Sequence, residues 1–108
     1  MPWQKLHPMS KHWHPPLDVY EVPETVIILM EIPGVKKEDI DVRMDGEMLT
    51  ISGSRPDMSP DGRIRCHQLE INSGRFMRKV RVSLPIKAEA IQASYNDGFL
   101  KIVLPREG

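Results

Sequence analysis

Between Asp39 and Asp45, Ile40, Val42 and Met44 alternate with Asp41, Arg43 and Asp45. That is the period of a strand with one buried face. The pattern returns at Met48–Gly53, where Leu49 and Ile51 oppose Thr50 and Ser52. It returns again at Phe76–Leu84, where Phe76, Val80, Val82 and Leu84 oppose Met77, Lys79 and Arg81. Thr25–Ile32 differs, because Val26 to Met30 is apolar without a break. Such a run suits a strand covered on both faces, or one with a face available for contact. Leu17–Glu21, a weaker Arg63–Ile71, Ile91–Tyr95 and Phe99–Leu104 complete the predicted strands.

Proline punctuates the pattern, since it cannot donate to a sheet ladder. Pro23, Pro33, Pro56, Pro60, Pro85 and Pro105 fall between the apolar stretches, and Pro2, Pro8, Pro15 and Pro16 lie near the N-terminus. Asp45-Gly46 and Asn96-Asp97-Gly98 are hairpin signals, and Arg55–Gly62 has the composition of a loop. Lys36–Asp39 and Lys87–Ala90 can each make at most a turn of helix. No segment keeps helical periodicity for three turns. Many short strands with regular turns predict an antiparallel β-sandwich or barrel.

The 108 residues fit one domain, large enough to bury a core without disulfides or a structural metal. Formal net charge is zero, so no global field draws nucleic acid or anionic lipid. The single cysteine, Cys66, forms no intrachain disulfide, which favours a reducing compartment. Met1 to Pro16 has no continuous apolar stretch like that of a secretory signal, and no window approaches the length of a membrane span. The expected location is cytoplasmic, with no membrane partner.

Candidate chemistry is sparse. There is no G-x-x-x-x-G-K-[ST] or G-x-G-x-x-G loop and no G-x-S-x-G elbow. Cys66 and His67 are sequence neighbours, and neighbours on a strand point to opposite faces, so they make a poor nucleophile and base. His7, His12 and His14, with His67, are the best metal candidates, but no carboxylate precedes Asp18 to orient them. No metal, cofactor, small-molecule substrate or catalytic activity is expected. Arg75, Arg78, Lys79 and Arg81 form a basic cluster around Phe76, yet only Lys79 and Arg81 share a strand face with Arg75. Nucleic-acid binding is not expected.

Several groups of residues stand together: Pro16-Leu17-Asp18-Val19-Tyr20-Glu21, Ile32-Pro33-Gly34-Val35 with Glu38-Asp39-Ile40, and Leu49-Thr50-Ile51-Ser52-Gly53-Ser54-Arg55. Gly74-Arg75-Phe76 with Arg78, Leu84-Pro85, and Ala93 with Tyr95-Asn96-Asp97-Gly98-Phe99-Leu100 follow in order. From about Pro16 to Pro105 the chain resembles the α-crystallin domain of the small heat-shock proteins, especially their bacterial and plant branch. The resemblance implies an immunoglobulin-like antiparallel β-sandwich over residues 16–105. A short flexible tail at 1–15 and a brief end at 106–108 flank it. It also implies an ATP-independent holdase that keeps partly unfolded client proteins in solution. The rival reading is a co-chaperone or adaptor of the CS-domain type, binding one folded partner.

The resemblance further implies a two-fold homodimer, in which the arm Ser54–Leu69 crosses to a neighbour and pairs with its Leu17–Glu21 strand. Leu17, Val19 and Tyr20 would meet Ile64, Cys66 and Gln68 there, with Arg75 and Arg78 as ion-pair partners nearby. A solvated strand face is the other reading of the two arginines. The docking groove for polypeptide segments is implied between Ile40–Met44 and Ile91–Tyr95, walled by Val42, Met44, Ala93 and Tyr95. Val42 and Met44 read equally as core positions. Many family members carry an Ile-x-Ile motif beyond the domain. None follows Pro105 in these 108 residues, so the groove is expected to be open to clients or to another chain's end.

Overall fold

The unbroken apolar run becomes the centre of a sheet. In the computed structural model, which describes residues 13–62 and 65–108, Thr25–Glu31 (β2) pairs along its whole length with Phe99–Pro105 (β7). Val26, Ile28 and Met30 of β2, and Leu100, Ile102 and Leu104 of β7, are buried. Burying each such side chain stabilises the fold by roughly 1.5–3 kcal/mol. Ile27, Leu29 and Val103 point the other way and are half-buried. The run is therefore continuous because one face packs on the core and the other is shielded by cross-strand neighbours. Tyr20, Ile27 and Val103 stand opposite one another across three strands.

Leu17–Glu21 (β1) and Gln92–Asn96 (β6) flank this pair, giving a four-stranded antiparallel sheet ordered β1-β2-β7-β6. The second sheet holds Asp41–Asp45 (β3), Met48–Arg55 (β4) and Gly74–Arg81 (β5), ordered β3-β4-β5. Leu49, Ile51 and Phe76 complete the core from this side. Both sheets are antiparallel, and the only helical elements among the described residues are single 3-10 turns at Lys37–Asp39 and Ala88–Ala90. No helix among the described residues is long and apolar enough to cross a membrane.

Both predicted hairpins form. The β3–β4 loop is Gly46-Glu47, one residue later than Asp45-Gly46, with Gly46 at φ 60° in the first loop position. The β6–β7 loop is Asp97-Gly98, at φ 53° and 83°. A Cβ on Gly98 would lie 2.9 Å from the Pro33 Cα, so only glycine meets both the dihedral and the packing.

Two expectations are corrected. No strand forms over Arg63–Ile71: residues 65–73 belong to neither sheet, and Arg63 and Ile64 lie outside the described residues. The pattern there alternates poorly, and within one chain no sheet edge is paired with it. The second concerns the segment before Pro16: within the range expected to be a flexible tail, Trp13 and Pro15 are buried while His14 is exposed.

Candidate functional site

A two-sheet sandwich has two lateral seams, where the outer strands of one sheet face those of the other. Here β3 and β6 border one seam, and β5 and β1 border the opposite one.

The β3/β6 seam is open. A groove of about 200 Å³ is lined by Lys37, Ile40, Val42, Ala93, Ser94, Tyr95 and Leu100. Strand alternation places the walls. Val42 stands opposite buried Ile51, Ala93 opposite buried Ile102, and Tyr95 opposite buried Leu100, so all three side chains turn toward the core at a sheet edge. Being at the edge, they are left half-buried or exposed. The Tyr95 O–H donates to the Ile32 carbonyl at 2.8 Å, which fixes the ring as a wall. The Ile32 N–H donates to Gly98, tying the β6–β7 hairpin to the same turn. The groove thus unites three of the four residues expected to wall it. Met44 is not among them. It lines a separate hollow with Val82, Leu84, Pro85 and Ile86, because two residues along β3 carry it past the end of the groove. Lys37, Ile40, Ser94 and Leu100 were not among the expected walls; Ile40 lies one alternation step before Val42, and that periodicity could have found it.

The β5/β1 seam is closed. Trp13 forms a parallel bridge with Phe76, and its N–H donates to the Arg75 carbonyl at 3.3 Å. The indole N–H donates to the Gly74 carbonyl at 3.2 Å. The two rings meet edge to face, 5.7 Å apart. The Arg55 guanidinium lies 4.1 Å over the indole and donates to the Asn72 carbonyl from Nε and Nη2 and to the Pro33 carbonyl from Nη1. Phe76 itself lies on Gly53 opposite it in the ladder; a Cβ there would come within 2.7 Å of the ring.

The residues expected at a subunit contact are scattered in the isolated chain. Leu17 is half-buried against its own core. Val19 and Tyr20 are each 48% exposed on β1, whose outer edge pairs with no strand among the described residues. The Tyr20 O–H donates to Asp18 at 2.9 Å; that bond first, and then the Asp18 charge, raise the phenol above its ordinary pKa. Cys66 is half-buried, Gln68 exposed, and Ile64 lies outside the described residues. On the arm Met58 is 83% exposed, and Ile71, just beyond it, is 79% exposed. Arg75 is exposed, whereas Arg78 lies on the Phe76 face of β5 and donates to the Pro15 carbonyl at 2.6 Å. Its inward face separates it from the outward row of Arg75, Lys79 and Arg81.

His7 and His12 lie outside the described residues, and His14 and His67 are exposed. No group of three or more His, Cys, Asp or Glu side chains that could hold a metal occurs among the described residues.

The profile of the Hsp20/alpha crystallin family matches residues 18–108. An 18.1 kDa class I heat shock protein of Oryza sativa subsp. japonica is 36% identical over 92 residues, covering 84% of this chain and 57% of the relative. A 17.4 kDa class I heat shock protein of Arabidopsis thaliana is 35% identical, with 83% and 58% covered. The chain thus spans somewhat more than half the length of these relatives. Among solved structures, heat shock protein 16.0 from Schizosaccharomyces pombe superposes with a TM-score of 0.79 at 36% identity, covering 88% of each chain. A small heat-shock protein from Xylella fastidiosa gives 0.81 at 30% identity, covering 91% of this chain and 90% of that one.

Proposed function

Because the chain belongs to the Hsp20/alpha crystallin family, we propose that it is an ATP-independent holdase, binding partly unfolded polypeptides and limiting their aggregation. The observation that carries this reading is the open apolar groove at the β3/β6 seam. Extended segments are recognised by adding to a sheet edge and placing alternate side chains in pockets. The groove offers both: the outer edges of β3 and β6, which pair with no strand among the described residues, and walls of Ile40, Val42, Ala93 and Tyr95. A short peptide with two isoleucines one residue apart fits that spacing. Its affinity is weak, roughly micromolar to millimolar, because ordering the peptide offsets much of the contact energy. The lack of any phosphate-binding loop in the sequence agrees with action without ATP. The lone cysteine favours a reducing, cytoplasmic setting.

The working unit is a two-fold dimer in which the arm of one chain pairs with β1 of the other. Exposed apolar residues on both elements support this, Met58 and Leu69 on the arm, with Ile71 just beyond it, and Val19 and Tyr20 on β1. Such surfaces on an isolated chain mark a contact. The test of the function is an aggregation assay with a heat-labile client and no ATP. Suppressed light scattering is expected at chain-to-client ratios near one; unchanged aggregation at a large excess overturns the reading. Deleting Asp57–Gln68 is expected to give monomers by light scattering, and persistent dimers would refute the arm exchange.

A further inference from the structure

The closed seam has the features of a binding site that is already filled. Trp13 reaches it from far away in sequence and is held there as a ligand would be. Its backbone adds to the β5 edge through one isolated bridge, its indole N–H finds the Gly74 carbonyl, and its ring lies between Phe76 and the Arg55 cation. Every one of those partners comes from the β4–β5 region, and none from the N-terminal segment. The walls are built independently of their occupant: Phe76 rests on Gly53, and Arg55 is held by the Asn72 and Pro33 carbonyls. Neither set of contacts involves the indole.

The occupant and β1 are fastened separately. Past the exposed His14, the chain is held again by the Arg78 bond to the Pro15 carbonyl and by the Glu31 N–H to the Pro16 carbonyl. None of the contacts that hold Trp13 is among those that pair Leu17–Glu21 with β2. What the slot reads is one aromatic side chain on an extended backbone. Edge-to-face packing and a cation over the ring each favour an aromatic over an aliphatic group.

We propose that the slot formed by Arg55, Gly74, Arg75 and Phe76 is a second polypeptide-binding site, selective for a tryptophan or phenylalanine in an extended segment of a client, and that the chain occupies it with its own Trp13. That clients are the occupants rests on the holdase reading; the slot itself does not. The tether gives Trp13 an effective concentration in the millimolar range or above, so a free segment competes poorly until Trp13 is removed or weakened.

The experiment titrates the peptide Ser-Lys-His-Trp-His-Pro-Pro, copied from Ser10–Pro16, into the parent chain and into Trp13→Ala and Trp13→Leu, following backbone amide shifts. We expect shifts at Arg55 and Gly74–Met77, and binding at least about tenfold tighter to Trp13→Ala than to the parent, as loss of the tethered competitor requires. Trp13→Leu, which keeps the slot partly filled, is expected to fall between. The same peptide with Ala at its centre is expected not to bind. Equal binding to parent and variants, equal binding of the Ala peptide, or shifts confined to the β3/β6 groove each overturn the proposal. So does a failure of both variants to fold, which would make Trp13 core and not ligand. None of these readouts depends on client aggregation, so a failed holdase assay and a failed slot are told apart.

Discussion

The two seams of the sandwich are built from the same kind of strand edge, yet one is filled and the other is not. At the β5/β1 seam an aromatic floor, Phe76, meets Trp13 and Arg55, and the result is a buried cluster with saturated polar groups. At the β3/β6 seam the inward side chains are small or aliphatic, Ala93 and Val42, and only Tyr95 is large. Its hydroxyl is spent on Ile32, so the wall is fixed but the space beside it stays vacant. The two seams therefore differ in what they bury. Large aromatic groups consolidate the first and tie down the base of the arm. The second trades burial for an accessible apolar surface.

That contrast predicts unequal costs of substitution. Phe76→Ala removes the floor of the filled seam and is expected to destabilise by about 3–5 kcal/mol, read by urea denaturation. A loss below about 1 kcal/mol would mean the seam is not consolidated. Gly98→Ala acts at the turn that anchors the open seam to Pro33, through a positive φ and a contact at 2.9 Å. It is expected to cost about 1–3 kcal/mol. If the cost is negligible, the hairpin is not clamped as described. Arg55→Ala forfeits the cation over Trp13 and leaves two carbonyls short of a donor, for about 1–2 kcal/mol. Easier acrylamide quenching of Trp13 should accompany it in a Trp3→Phe background, where Trp13 is the sole tryptophan; unaltered quenching would show that Arg55 does not hold the indole. Val42→Glu at the open seam is expected to change stability by less than about 1 kcal/mol, because the side chain is at a half-buried edge. It should nevertheless abolish binding of the isoleucine-pair peptide and leave the dimer intact. Retained binding would remove the groove from that role.

Alternation and turn chemistry carried most of the fold. The inward rows of β3, β4 and β5, the hairpin at Gly98 and the absence of long helices among the described residues all follow from local pattern, since a period of two and a positive φ are properties of neighbouring residues. The groove was expected from the family resemblance and not from those rows. The structure brings Val42, Ala93 and Tyr95 to one hollow and Met44 to another, because alternation assigns a face and says nothing of position along an edge. Arg78 could be placed on the Phe76 face by counting, but its partner, the Pro15 carbonyl, could not.

Local sequence was enough for where most strands and turns lie and for the inward faces of β3, β4 and β5. The tertiary structure alone decided that Trp13 closes one seam, that Arg55 bridges it to Asn72 and Pro33, and that the other seam stays open. The physical reason is range. Strand period and turn dihedrals are set within a few residues. Trp13 and Gly74 are 61 residues apart, and only the stacking of two whole sheets brings them within a hydrogen bond.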